Sequence, residues 1–357
     1  MKKLIKLFKI ALTLVLFVQV NGYAQNNNSN YNDDKGNKKK YEFVKKKTVN
    51  KSYNVSSSDK LNIQNSFGSV EVKTWDRNEI KVDVDIEVSA NTEALAQKLL
   101  DRISVNDDKN GKEISFETKM EDIKNSKDDK SSMEINYSIS MPANNPLTIK
   151  NEFGSTTVPD FRGEVDLTSK FGSLTTGNLA NIKNIHVEFG KANLANISSA
   201  PVTIKFSKAI ISKLSGNIKM NLEFCSSIKL NLDNNLTSLD LKASYSTVNL
   251  KPLGSLSAAY NISTSFGSFK NRSDVKFSSD ENEGDHGPKF DFEYSGKSGN
   301  GNIPVKVKNS FGKVILGEAT DDDFKDKNKE TQTTRTSSLS IALNGKRPVA
   351  ITGCLYL

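Results

Sequence analysis

The chain has 357 residues, with 50 Lys and Arg against 42 Asp and Glu, and a formal net charge of +8. Hydrophobic residues make up 36% of it, which is too few for a thick core and too many for a disordered chain. Two His and two Cys offer few ligands for a zinc or haem site. The composition therefore predicts no metal and no cofactor.

Residues 1–24 have the pattern of a secretory signal peptide. Four lysines precede an apolar run from Ile10 to Val20, and Gly22 and Ala24 fit cleavage before Gln25. The run is too short to span a membrane, and no other stretch is long and apolar enough. We expect an exported protein with no transmembrane segment in the mature chain, located in the periplasm, on the outer-membrane surface or outside the cell. Nucleic acid is then a poor candidate partner.

Residues 25–59 are rich in Asn and Lys and nearly free of aliphatic side chains. This composition predicts a disordered leader. Its lysines lack helical amphipathic spacing, so a solvated tether is favoured over a segment that binds acidic lipid or lipopolysaccharide.

A short repeat organises the remaining chain. Its signature is an aromatic residue followed by Gly or a small residue, and from residue 153 onward the aromatic recurs at steps of 18, 18, 17, 18, 21 and 21 residues. Apolar residues alternate on both sides of it, which is typical of strands, and the turns between copies leave no room for a crossover helix. The aromatic residues of this predicted ladder are Phe153, Phe171, Phe189, Phe206, Phe224, Tyr245 and Phe266.

Such a repeat predicts an all-β fold, a single-stranded β-solenoid (β-helix) with rungs of about 18–21 residues, expected to be right-handed. Equivalent residues in successive rungs would lie about 4.8 Å apart. We expect the aromatic residues to stack as one buried column in chain order, with Gly easing the corner after each of them. Cys225 stands at one of these Gly positions and is interpreted as a small-residue substitute.

The residue before each aromatic gives a second column with alternating charge. Its members are Glu152, Lys170, Glu188, Lys205 and Glu223. Opposite charges on adjacent strands are favourable, so this alternation predicts a solvent-facing ladder of ion pairs.

Other elements frame the repeat. Residues 60–145 hold a first rung with an inserted α+β element: a helix at about 92–101 capped by Asn91, then a strand pair at 102–105 and 113–119. The repeats occupy residues 146–318, a disordered charged loop is expected at 319–337, and capping strands are expected at 338–357 around Asn344-Gly345. Whether Cys225 and Cys354 pair is left open.

Several of these segments resemble a bacterial family known as the "putative adhesin" domain, in its exported Bacteroidetes form. The similar segments are Asn65-Ser66-Phe67-Gly68-Ser69-Val70, the helix before Ile103, and Gly299-Asn300-Gly301-Asn302 ahead of Asn309-Ser310-Phe311-Gly312. The resemblance spans roughly residues 60–318 and implies a β-helix with an adhesive role. It carries no catalytic residues and names no ligand.

Few residues suggest chemistry. His186 has no second histidine, cysteine or nucleophile beside it in sequence. The segment from Asp280 to Gly287, with His286, and the run Asp321-Asp322-Asp323 are better interpreted as acidic loops than as calcium sites. The segment at 299–302 lacks the Lys and Ser or Thr of a phosphate loop. The aromatic residues that could stack on sugars, but are better explained by strand packing, are Trp75, Tyr137, Tyr260 and Tyr294.

The sequence therefore predicts a non-enzymatic, adhesin-like protein of the cell envelope or surface whose ligand is a cell-surface glycan or a protein. Two alternatives stay open. The first is a polysaccharide lyase or hydrolase that uses the carboxylates of the charged column. The second is a periplasmic sensor or regulatory partner in envelope stress. Neither the ligand nor the oligomeric state follows from the sequence.

Overall fold

A computed structural model of the chain describes residues 41–121, 128–279 and 290–325. The predicted signal peptide, His286, Cys354 and the predicted capping strands at 338–357 lie outside these ranges. The described chain is all-β with a single α-helix, which confirms the predicted class. No described helix has the length and apolar character needed to cross a membrane.

Twenty-two strands and the helix α1 (Glu93–Asp101) make up the described fold. In chain order the strands are β1 (Phe43–Asn54), β2 (Lys60–Ser66), β3 (Val70–Trp75), β4 (Glu79–Ala90), β5 (Ile103–Asn110), β6 (Glu113–Met120), β7 (Ser131–Pro142), β8 (Leu147–Glu152), β9 (Ser155–Val158), β10 (Phe161–Lys170), β11 (Ser173–Glu188), β12 (Lys191–Ser198), β13 (Pro201–Lys205), β14 (Lys208–Glu223), β15 (Ser227–Ser244), β16 (Thr247–Pro252), β17 (Ala258–Ser265), β18 (Ser268–Arg272), β19 (Phe277–Ser279), β20 (Asp291–Lys297), β21 (Ile303–Ser310) and β22 (Lys313–Gly317).

Parallel pairing between successive copies of the repeat builds most of the fold. We call a rung the two strand segments joined at one aromatic corner. The segment before each corner pairs with its counterparts in the neighbouring rungs, and so does the segment after it. Leu167, for example, lies between Ile149 and Ile185, and all three are fully buried. Equivalent apolar residues thus pack on one another along a continuous core.

The last two rungs lie in a different order from the sequence. Strand β21 pairs on one side with β15 and on the other with β17, while β22 pairs with β16 and β18. The rung centred on Phe311 therefore lies between the rungs of Tyr245 and Phe266. The predicted contact between Tyr245 and Phe266 is wrong, because the later strand pair inserts between them.

Antiparallel strands close the N-terminal side. Strands β1, β4 and β7 pair in that order, and β7 then joins β3 of the first rung. The predicted strand pair is the hairpin β5–β6, which extends the other side of the rung through β2. Helix α1 begins one residue later than expected: its N-cap is Thr92, whose hydroxyl accepts from the Leu95 N–H, and not Asn91.

The predicted leader at 25–59 is too long, because residues 43–54 form β1. This strand alternates between half-buried and exposed residues, and its half-buried residues include Phe43, Val49 and Tyr53. The lysines between them find acidic partners elsewhere in the chain, as in the pair of Lys51 with Asp107 at 3.1 Å. The strand forms because it pairs with β4 along its whole length and packs its half-buried face on the core.

A second unit begins at Thr320, and residues 320–325 of it are described. Asp321–Phe324 is a 3-10 helix, and the Thr320 hydroxyl donates to the Asp323 carboxylate at 3.1 Å. The expectation of a disordered loop from residue 319 is therefore wrong for this turn. Residues 326–337 of that loop lie outside the described ranges.

Candidate binding surface

Ten aromatic rings form one stacked ladder along the corners of the rungs. Neighbouring ring centroids are 4.7–5.1 Å apart, and all but the last pair have interplanar angles of 7° or less. The ladder contains the seven predicted residues and three more: Phe67 and Phe290 at its two ends, and Phe311 within it. In spatial order it comprises Phe67, Phe153, Phe171, Phe189, Phe206, Phe224, Tyr245, Phe311, Phe266 and Phe290.

The ladder lies on the surface, so the expectation of a buried column is wrong. From Phe153 to Phe290 each ladder residue is 42–54% exposed. The backbone explains this: the nine ladder residues from Phe67 to Phe266 have φ between 48° and 68°. A residue in the left-handed conformation at the corner points its side chain outward. An extended residue at the same place would follow the alternation of the strand and point its side chain into the core. Since aromatic residues avoid this conformation, each corner carries a cost of about 1–2 kcal/mol.

Close contact between rungs explains the glycine after the aromatic, whose own φ is not positive. A Cβ on Gly172 would lie 1.9 Å from the Gly154 carbonyl oxygen, and one on Gly190 would lie 2.0 Å from the Gly172 oxygen. The glycines are therefore needed for backbone approach, and the aromatic residue makes the corner.

Three rungs carry a small side chain in place of this glycine and use it for hydrogen bonds. The Ser207 hydroxyl accepts from the Gly190 N–H at 2.9 Å, and the Ser246 hydroxyl accepts from the Cys225 N–H at 3.0 Å. Cys225 is a free thiol, fully buried, and burial raises its pKa. Its Sγ lies 3.3 Å from the Ile204 carbonyl oxygen, so it fills the corner as a small residue.

Buried asparagines explain the Asn-Ser-Phe-Gly segments at the two ends of the repeat. Asn65 donates to the Asn151 side-chain oxygen at 3.1 Å, and Asn151 donates to the Gly68 carbonyl oxygen at 3.1 Å. Asn309 likewise donates to the Ser246 carbonyl oxygen at 3.2 Å. These side chains bind backbone carbonyls where the corner leaves them buried.

The charged column runs beside the ladder on the strand segments that precede it. Lys170 lies opposite Glu152 and Glu188 in register, and Lys205 lies opposite Glu188 and Glu223. Two of these neighbours are ion pairs: Lys170 Nζ to Glu188 Oε2 at 3.5 Å, and Lys205 Nζ to Glu223 Oε2 at 3.0 Å. The side chains are 22–41% exposed, so the pairs add little stability individually.

A groove of about 450 Å³ runs along the other side of the ladder. The edges of four rings form one wall, and Lys191 and Lys208 stand two residues after their ladder aromatics. Nothing in the sequence alone singles out these lysines. Their place in the repeat was visible, but their meaning depends on the ladder being exposed.

The other residues considered as candidate sites contact neighbouring residues of the fold. His186 Nε2 lies 3.4 Å from Glu188 Oε2, within the charged column. Tyr137 and Tyr260 are buried, and the Trp75 indole N–H donates to the Glu79 carbonyl oxygen at 2.7 Å. Tyr294 packs against Phe269. Tyr137 and Tyr260 therefore offer no open face to a sugar ring, and the Arg77 guanidinium covers one face of Trp75, 5.1 Å from its ring centroid.

Two further segments give no site. In the turn at 299–302, the Asn300 and Gly301 N–H groups donate to the Ser257 hydroxyl, so a residue of the chain itself occupies the place of a phosphate. Within residues 41–121, 128–279 and 290–325, no group of three or more His, Cys, Asp or Glu side chains is arranged to hold a metal ion.

Comparison with known proteins gives matches only among solved structures. No family model and no curated protein matches the chain. A "putative adhesin" from Parabacteroides merdae is 9% identical with a TM-score of 0.38, over 76% of this chain and 96% of that one. A "putative adhesin" from Bacteroides fragilis is 10% identical with a TM-score of 0.37, over 75% and 96%.

A "putative lipid binding protein" from Parabacteroides distasonis is 11% identical with a TM-score of 0.28, over 76% of this chain and 97% of that one. Most of the names are those of the family that the sequence segments resemble. The chain is thus similar to solved structures named as adhesins, at identities that say nothing about its ligand.

Proposed function

We propose that this chain is a non-enzymatic binding protein of the cell envelope or surface, in which a β-solenoid scaffold presents the aromatic ladder to a ligand. One observation carries the proposal: nine ladder residues are 42–54% exposed. Soluble proteins rarely expose a continuous apolar surface of this length without using it for binding.

The pairing pattern supports the solenoid. Successive rungs pair in parallel, and the charged and apolar positions repeat in register from β8 to β15. Each rung contacts mainly the rungs before and after it, which is the organisation of a stacked repeat. Such a scaffold holds the ladder rigid, because every ring is fixed by a backbone corner of its own rung.

The cost of the corners supports a role for the rings. Asn or Gly adopts positive φ with little penalty, whereas Phe does not. The chain nevertheless carries Phe or Tyr at nine such corners. Stacking returns part of this cost, at about 0.5–1.5 kcal/mol for each contact. Ring edges that bind a ligand at the surface would favour aromatic residues at these corners, in addition to the stability that stacking gives them.

The ladder also restricts the kind of ligand. Each ring inside it has both faces covered by neighbours 4.7–5.1 Å away, so it offers only its edge to solvent. A sugar ring stacks on an open aromatic face, so glycan stacking along the ladder is disfavoured. Ring edges are apolar with a slight positive charge, which favours aliphatic groups and oxygen atoms.

The enzymatic alternative depends on the charged column. A glycosidase needs two carboxylates close together, with one able to hold or release a proton. Here Glu188 and Glu223 are each paired with a lysine, which favours a structural role. Depolymerisation of a polysaccharide by the purified protein, lost in Glu188→Gln, would establish the enzyme instead.

Binding of the purified protein to intact bacterial cells tests the proposed surface. In the double variant Phe171→Asn/Phe206→Asn two rings are removed while the corners keep a residue that tolerates positive φ. We expect this variant to lose most of the binding. The matched control Val44→Thr/Met120→Gln removes exposed apolar groups elsewhere and should bind as the wild type does. Equal binding by all three proteins would refute the ladder as the binding surface.

The location is tested separately. Cell fractionation, with protease treatment of intact cells, distinguishes the surface from the periplasm. We expect the protein in the envelope or the medium, and a cytoplasmic pool only would contradict the proposal.

A further inference from the structure

The groove beside the ladder has the dimensions of a small-molecule site. Its volume of about 450 Å³ is comparable to that of a ligand pocket, but the groove is open to solvent and would cover one side of a ligand. It spans three steps of the ladder, from Phe171 to Phe224. The backbone of Gly172 and Gly190 and the small residue Ser207 line it between the rings and the lysines. A long, narrow ligand would fit across successive rungs, parallel to the ladder.

The groove carries two positive charges. Lys191 and Lys208 lie opposite each other on the paired strands β12 and β14, and both are exposed. Neither has an ion-pair partner in the part of the chain that the structure describes. The corresponding position in the preceding two rungs is Ser155 and Ser173. Like charges on adjacent strands repel, so an anion shared by the two ammonium groups would relieve the repulsion.

The other flank of the ladder does not neutralise them. Lys170 and Lys205 are paired with glutamates of their own column. Beyond Lys208, Ile210 is 48% exposed and extends the apolar surface on the same face of β14. The groove thus combines an apolar length with two unneutralised cations.

We propose that this groove binds a fatty-acid anion. The carboxylate lies between Lys191 and Lys208, and the acyl chain runs along the edges of the neighbouring rings. The lysine stems and Ile210 offer further apolar surface to the chain. This inference rests on the proposed function, since it names the ligand class of the same surface.

Displacement of a fluorescent fatty acid from the purified full-length protein measures the affinity. Dodecanoate, below its micelle-forming concentration, should displace the probe, whereas methyl dodecanoate and dodecyltrimethylammonium should do so only weakly. Each methylene removed from the chain should lower the affinity, by at most about four-fold, which is the value for complete apolar burial. Equal displacement by the anion and the cation would overturn the proposal.

Paired lysine variants locate the carboxylate. Lys191→Gln/Lys208→Gln should weaken dodecanoate binding about ten-fold and leave the methyl ester unchanged. The control Lys242→Gln/Lys308→Gln also removes two exposed lysines on adjacent strands. These lysines precede their ladder residues and do not line the groove, so the control should have no effect. A similar loss in both variants would mean that only net charge matters, and would refute the site.

Two further arms separate other ligands from the fatty acid. Phosphatidylglycerol vesicles bound without any binding of free dodecanoate would identify a membrane surface as the ligand. Binding of a polyglutamate peptide alone would identify an acidic peptide. If cells are still bound through the ladder while dodecanoate is not, the fatty-acid proposal fails and the proposed function stands.

Discussion

Replacing Phe189 separates the two contributions of a ladder residue to stability: stacking and backbone strain. Phe189 is 43% exposed, and complete burial of a Phe side chain is worth about 1.5–3 kcal/mol, so its burial accounts for about 1–1.7 kcal/mol. Its two stacking contacts, at 4.8 and 4.7 Å, add about 1 kcal/mol together if each is at the lower end of its range. Phe189→Ala should therefore lower the free energy of unfolding by about 2–3 kcal/mol.

An asparagine at the same corner removes the same ring but tolerates a φ of 53°. Phe189→Asn should therefore cost about 0.5–1 kcal/mol less than Phe189→Ala. Urea unfolding followed by far-UV circular dichroism gives both values from the shift of the midpoint.

The stabilities of the two variants test whether the ring is exposed and the corner is strained. A loss of about 3–5 kcal/mol in Phe189→Ala would be that of a fully buried aromatic and would contradict the exposed ladder. A loss under about 0.5 kcal/mol would mean that stacking contributes nothing. If the asparagine variant is the less stable of the two, the strain of the corner is not the reason for their difference.

Three further changes test other parts of the structure. Lys170→Glu places a carboxylate beside Glu188 and should lower the free energy of unfolding by about 1 kcal/mol at low salt. The loss should be smaller in 1 M NaCl, because the screening length is then about 3 Å. A loss independent of salt would contradict the ion-pair ladder. Gly172→Ala should lower stability by about 2–3 kcal/mol, because its Cβ would overlap a backbone carbonyl. The control Gly111→Ala, at φ +59° with no atom within 4 Å of the added Cβ, should lower it by about 1 kcal/mol. Equal losses would mean that the rungs are not in close contact at Gly172. The Cys225 thiol, buried and with a raised pKa, should resist iodoacetamide at pH 8 in the native protein and react in urea; rapid native alkylation would show that the corner opens.

The sequence alone determined the class of fold and the period of the rungs. In-register parallel pairing gives each position the same surroundings in every rung, so the aromatic residue, the small residue after it and the charge before it recur at a fixed step. Such a pattern is local and can be detected without knowing any long-range contact. The helix and hairpin between β4 and β7 were found for the same reason, since their apolar spacing and turns lie within a few residues, although the cap is Thr92 and not Asn91.

The tertiary structure decided where these patterns face and in which order they lie. Alternation does not show the sign of φ at the corner, so the sequence could not place Phe189 outside the core. The strand that carries Phe311 inserts between two earlier rungs, and nothing in its own sequence distinguishes this position from a place after the last rung. Strand β1 pairs with β4 along its whole length and forms ion pairs such as that of Lys51 with Asp107, so a segment with the composition of a disordered leader is a strand. Each of these outcomes depends on contacts between residues far apart in sequence, which a local pattern does not contain.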